Sequence, residues 1–213
     1  MVLDGEVELE LPQAPWPAGD ARLRLKASQF VFYPPQFPHT LRTVSETPAS
    51  YLMFKWHDGA AGAESPLSFG RFDATAPDAA GESRGAHGVR QQLFAGATAN
   101  LAKLKCHVST MPPGAGYAPH ADAYDVAIVT LEGEIETLGE TVGPYSVIFY
   151  PAGQPHGIRN ASGSPAKYVV FEFHSGRIAA DIAVSAQPSL VAKLFDPARW
   201  KRKLQRVLAR SAT

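Results

Sequence analysis

The chain has 213 residues, and its 20 Lys plus Arg balance 20 Asp plus Glu, so no long-range field draws it to nucleic acid or to an anionic membrane. No apolar run approaches the roughly 18 residues that span a bilayer, the N-terminus lacks a basic region followed by an apolar stretch, and the single Cys106 has no internal disulfide partner. These features favour a cytoplasmic protein whose partners are small molecules or another copy of itself.

With 18 Gly and 18 Pro between short β-branched and aromatic runs, the chain is expected to be all-β with frequent turns. In chain order, strands are expected over residues 2–11, 21–27, 30–33, 40–44 and 50–57, with a Pro-rich insertion at 12–20. Residues 58–86 are small and polar with little periodicity, the composition of a linker. A second strand series follows over 89–94, 101–111, 127–136, 146–150, 157–160 and 167–174. Asp196 followed by Pro197 is a helix start. Trp200, Leu204, Val207 and Leu208 then share one helical face among Lys201, Arg202, Lys203, Arg206 and Arg210. So short an apolar stripe favours a tail helix that packs on its own domain over one that binds a membrane surface.

One stretch occurs twice. FVFYPPQFPHTLRT (residues 30–43) and VIFYPAGQPHGIRN (residues 147–160) each read as a strand, a Pro turn and a second strand, with one imidazole at the bend: His39 in the first and His156 in the second. At a constant offset of 117, residues 30–57 match residues 147–174 at 12 of 28 positions without a gap. A repeat of this length predicts two copies of one domain. Aligning LDGEVELE (3–10) with LEGEIETL (131–138) shows that the first copy lacks everything equivalent to residues 87 to about 130. The expected organisation is a partial first copy (1–57), a linker (58–86), a complete barrel (87–180) and a helical tail (181–213).

In the second copy, PPGAGYAPHADAYDVAIVTLEGEIE (112–136) followed by YPAGQPHGIRN (150–160) resembles the two signature motifs of the cupin superfamily. The resemblance implies a jelly-roll barrel, and with the repeat a bicupin whose first copy is truncated. It places the family's first metal-binding His on His120, its second on Asp122, its turn glycine on Gly133 and its last His on His156. The Glu position falls on Val126, with Asp125 one residue short. In a strand that single step turns a side chain to the opposite face unless a bulge intervenes, so the usual site of three His and one Glu is not expected.

The remaining set has its own logic. His120 and Asp122, two apart on a strand, point to one face and can meet His156 there. Two imidazoles and one carboxylate form the facial triad of non-haem iron oxygenases, which leaves positions open for oxygen and substrate. Mn, Zn or Ni suits the same donors, and a barrel that has lost a ligand can also bind no metal, with His156 bonded only to backbone. Lys167 resembles the cation that holds an oxoacid co-substrate in related oxygenases. His107 faces either pocket or solvent, His57 and His174 suit a role at the barrel ends, and His39, without first-motif partners, is structural. Missing strands would expose sheet edges, to be covered by the linker or by a homodimer partner. The favoured function is a mononuclear iron oxygenase acting on a small polar metabolite. The alternatives are a metal-dependent sugar or keto-acid isomerase, or a non-catalytic binding or sensor module.

Overall fold

The structure, a computed structural model, describes residues 1–11, 22–56, 66–76 and 81–175. The Pro-rich segment 12–20, His57 and the expected tail helix lie outside the described residues. Among the described residues, every regular element is a strand. In chain order they are β1 (Val2–Asp4), β2 (Glu6–Glu10), β3 (Arg22–Lys26), β4 (Gln29–Phe32), β5 (Thr40–Thr43), β6 (Ser50–Tyr51), β7 (Gly70–Asp73), β8 (Glu82–Gly85) and β9 (Gly88–Gly96). The series continues with β10 (Lys103–Met111), β11 (Gly116–His120), β12 (Asp125–Glu132), β13 (Ile135–Thr137), β14 (Glu140–Val142), β15 (Val147–Tyr150), β16 (His156–Arg159) and β17 (Ala166–His174).

The second half is a jelly roll of two facing sheets, ordered β15-β12-β17-β10-β9-β8 and β11-β16-β13-β14. Val126, Ile128, Tyr168 and Val170 of the larger sheet meet Ile135 and Ile158 of the smaller one in the barrel core. The alternate residues Ala127, Val129, Val169, Phe171 and Phe173 point the other way and pack with Phe30 and Phe32 of β4. Side chains alternate along a strand, so β12 and β17 serve two cores at once. That is why DVAIVTLE and AKYVVFEFH read as nearly continuous apolar runs.

The first half repeats the pairings of the second. β1 pairs β6 through Val2↔Tyr51 and Asp4↔Ser50 with a break between them. β12 and β17 show the same break between Thr130↔Tyr168 and Glu132↔Lys167. A glycine at φ near +70° ends each of these first strands, Gly5 at 73° and Gly133 at 69°. A side chain at either would collide with backbone, 2.8 Å from Ala49 Cα at Gly5 and 2.9 Å from Ala166 Cα at Gly133. Glu8 faces Arg42 as Glu136 faces Arg159.

Within the stretch expected as linker, two strands form. β8 makes a hairpin with β9. β7 pairs antiparallel with β4, Phe32 opposite Gly70, as β15 pairs with β12 in the second half. A strand that follows the first copy thus covers the edge exposed by the strand missing ahead of it.

Candidate metal centre

β11 and β16 are neighbours at the edge of the smaller sheet. Tyr117 lies opposite Ile158 and His120 opposite His156, so three steps on β11 match two on β16. This bulge carries Pro119, a residue that cannot donate to a ladder. Gly157 lets the bulged strand approach, for a Cβ there would lie 2.9 Å from the Tyr117 carbonyl oxygen and 3.1 Å from Pro119 N. The extra residue brings the two imidazoles together, with ring centroids 4.6 Å apart and planes tilted by 48°.

Asp122 is held by the turn between β15 and β16. Gly153, at φ +78°, donates its N–H to the Asp122 carbonyl at 2.7 Å. Asp122 Oδ2 then sits 3.4 Å from His156 Nε2 and 3.6 Å from His120 Nε2. The three ligand atoms lie within 4.8 Å of one another, the one such group of His, Cys, Asp or Glu among the described residues.

Both imidazoles are oriented from behind. His156 donates Nδ1–H to the Gln154 carbonyl at 3.0 Å, and His120 Nδ1 stands 3.4 Å from the Ala118 carbonyl. A carbonyl only accepts, so Nδ1 of each ring is the donor and Nε2 is the nitrogen turned toward Asp122. Tyr150 stacks under His156 at 3.9 Å and 10°. Its hydroxyl donates to Thr137 Oγ1 at 2.6 Å, which in turn donates to the Gly157 carbonyl at 2.8 Å. His156 is buried and His120 is exposed, so the centre has a packed side and a side open to solvent. Two imidazole nitrogens and one carboxylate gathered this closely suit a divalent cation with positions to spare.

A family model described as a cupin domain matches residues 107–172. This barrel is a cupin. Among solved structures, AerE from Microcystis aeruginosa is 14% identical, with 81% of this chain and 75% of that one covered at a TM-score of 0.52. An RmlC-like cupin from Shewanella frigidimarina is 20% identical, covering 45% of this chain and 84% of that one at a TM-score of 0.37. The polyketide cyclase RemF from Streptomyces resistomycificus is 19% identical, covering 57% and 80% at 0.35. No curated protein matches. The AerE similarity extends beyond the cupin barrel alone, so the fold held in common includes first-half strands.

Two positions of the cupin pattern lie away from the centre. Val126 is 4% exposed in the barrel core. Asp125 accepts the Ala152 N–H at 2.8 Å and fastens the β15–β16 turn. Lys167 does not face the centre, since its Nζ donates to the Thr75 carbonyl at 3.3 Å, on the outer side where alternation along β17 places it. The copy at His39 keeps the local geometry without partners: Nδ1 donates to the Phe37 carbonyl at 2.8 Å and the ring lies 4.1 Å from Tyr33.

A buried polar group on the inner wall of the cupin escaped the sequence reasoning. Glu172 lies opposite both Lys105 and Val126. Lys105 Nζ donates to its Oε1 at 2.9 Å, and His174 Nε2 lies 3.2 Å from its Oε2. Burial raises the Glu172 pKa, but Lys105 and His174 outweigh it and leave the carboxyl below the ordinary range. His107 also faces inward, and burial, aided by Arg90, pushes its pKa down to about 3. Tyr124 packs its ring on His174, with centroids 3.9 Å apart and planes tilted by 32°. The signal was present in the alternation of β10, where Lys105, His107 and Ser109 fall on one face and apolar residues on the other.

Proposed function

We propose that this cupin is a mononuclear metal-dependent enzyme acting on a small polar metabolite, with His120, Asp122 and His156 as the protein ligands and iron as the favoured metal. The observation that carries this reading is the convergence of Nε2, Oδ2 and Nε2 within 4.8 Å, with both rings oriented by backbone carbonyls. Three protein ligands are the number typical of catalytic rather than structural sites. Bound iron would supply oxygen activation at its open positions, the chemistry of an oxygenase. The chain's own part is to hold two imidazoles and one carboxylate together, to exclude water behind His156 with Tyr150, and to leave the His120 side open for substrate. The repeated pairings of the first half support its reading as a partial cupin copy without a centre of its own. A homodimer belongs to the same proposal, and light scattering at micromolar concentration checks it.

Oxygen consumption by the iron-loaded protein over a panel of small organic acids and sugars tests the reading. Uptake that depends on substrate and is lost in Asp122→Ala is expected. Turnover that needs a metal but no oxygen would transfer the site to Lewis-acid isomerisation.

A further inference from the structure

The core of the cupin barrel gathers Met111, Val126 and Ile128 with Ile148, Tyr150, Tyr168 and Val170. At the offset of 117, the last four correspond to Val31, Tyr33, Tyr51 and Met53 of the first half. Met111, Val126 and Ile128 have no counterparts, because the first copy lacks everything equivalent to residues 87 to about 130. The exposure of the paired residues records the loss: Tyr168 and Val170 are 5% and 7% exposed, but Tyr51 and Met53 are 50% and 44% exposed. Val31, Tyr33, Tyr51 and Met53 line a cavity of about 400 Å³, with the buried Val7 and Leu9 also in its wall. Small-molecule sites have this size and this apolar character.

The charge on that wall is reversed between the two halves. Glu172 is paired with Lys105 in the second half. Its counterpart at the same offset is Lys55, which lines the cavity. Lys105 falls in the part the first copy lacks, and among the described residues no Asp or Glu lines the cavity. Tyr33, His39 and Tyr51, the other polar side chains there, can each donate a hydrogen bond, and none is an anion. An apolar pocket with a lysine and no carboxylate suits an anion that carries an apolar body. An ion pair to an exposed lysine is worth only a small factor, so the apolar body supplies most of the affinity and Lys55 the choice of charge.

We propose that the cavity of the first half is a second binding site, for a small carboxylic acid with an apolar body. The body takes the space of the three absent side chains and covers Tyr51 and Met53, and the carboxylate pairs with Lys55. The inference rests on the reading of the first half as a partial copy and is independent of the metal centre, whose ligands all lie in the other half.

Calorimetric titration of the metal-free full chain with butanoate, hexanoate and octanoate, and with octylamine as the cation of equal length, tests this. One molecule per chain is expected to bind, with affinity rising roughly threefold per added methylene and octanoate at least fivefold tighter than octylamine. Lys55→Glu is expected to reverse that preference, and Met53→Glu, which sets a carboxylate in the apolar wall, to weaken octanoate at least tenfold. Should Met53→Glu fail to fold by near-ultraviolet circular dichroism, Lys55→Glu decides, because Lys55 is exposed. No binding of any acid, affinity that does not grow with chain length, or a preference for octanoate that survives in Lys55→Glu overturns the site. A chain that binds none of them and is a dimer by light scattering, dissociated by Met53→Glu, gives the face to a second copy and also overturns it. Loss of the metal reading looks different: the wild type then takes up no iron, while octanoate binding still follows Lys55 and Met53.

Discussion

His156 Nε2 lies 3.4 Å from Asp122 Oδ2, although the two residues are 34 positions apart in sequence, and Gly153 fixes the separation by donating to the Asp122 carbonyl from the turn that precedes His156. The carboxylate and the imidazole are therefore positioned by one backbone contact. The centre is preorganised as far as its protein groups are concerned.

That contact has a counterpart at Gly157, where the β11 bulge presses on β16. Gly157→Ala places a methyl group 2.9 Å from the Tyr117 carbonyl oxygen, so the bulge must shift and His120 with it. Metal affinity is expected to fall by at least tenfold, measured by competition with a chromophoric chelator. Ala at Gly163, where nothing lies within 4 Å of the added Cβ, is expected to leave affinity unchanged.

The two repeated histidines should separate cleanly. His156→Ala removes an inward-facing ligand and is expected to abolish stoichiometric metal binding. His39→Ala removes an exposed ring bonded to the Phe37 carbonyl and is expected to leave metal content at the wild-type value. Elemental analysis of the two variants side by side checks both.

Acid should destabilise the fold through His107. Its pKa is near 6.5 when unfolded and about 3 when folded, chiefly through burial, so between those values the unfolded chain binds more protons and stability falls as pH falls. The contribution is complete above pH 6.5 and is lost progressively toward pH 3. At about 1.4 kcal/mol per unit, the whole window carries on the order of 5 kcal/mol. Urea unfolding at pH 7 and pH 4.5 is expected to show a smaller pH dependence in His107→Phe than in the wild type.

The two halves are joined by aromatic packing on the outer face of β17. Phe171 lies 5.6 Å from Phe30 and 5.1 Å from Phe54, ring centroid to centroid. Phe171→Ala is expected to cost ~3 kcal/mol and to lower Tm by roughly 6–12 °C. Phe149→Ala, at an exposed ring on β15, is expected to change stability by less than about 0.5 kcal/mol. Calorimetric melts compare them.

Much of this fold was legible because the decisive signals are local. The Pro turns before His39 and His156 and the constant offset of 117 show where strands start and stop, whereas the strands expected over 2–11 and 127–136 ran through Gly5 and Gly133, where the structure breaks each in two. His120, Asp122 and His156 do meet, but not by strand alternation: β11 ends at His120, and Asp122 lies in the loop before β12, held there by the Gly153 N–H. The bulge that aligns His120 with His156 left no trace beyond Pro119. Long-range facing was the obscure part. Glu172 sits in an apolar strand, and only its cross-strand register with Lys105 and Val126 reveals that it points into the barrel. Lys167, five residues earlier on the same strand, falls on the other face by the same alternation. β7 was hidden as well, since GRFD in a polar stretch lacks the length of a strand until β4 offers it an unpaired edge.

The most direct test of the metal centre is elemental analysis of the wild-type protein and of Asp122→Ala after reconstitution with ferrous iron and removal of excess metal. The account predicts one metal per chain in the wild type and less than a tenth of that in Asp122→Ala, with both proteins folded by circular dichroism. A wild type that retains no stoichiometric metal, or an Asp122→Ala variant that binds as well as the wild type, would contradict it.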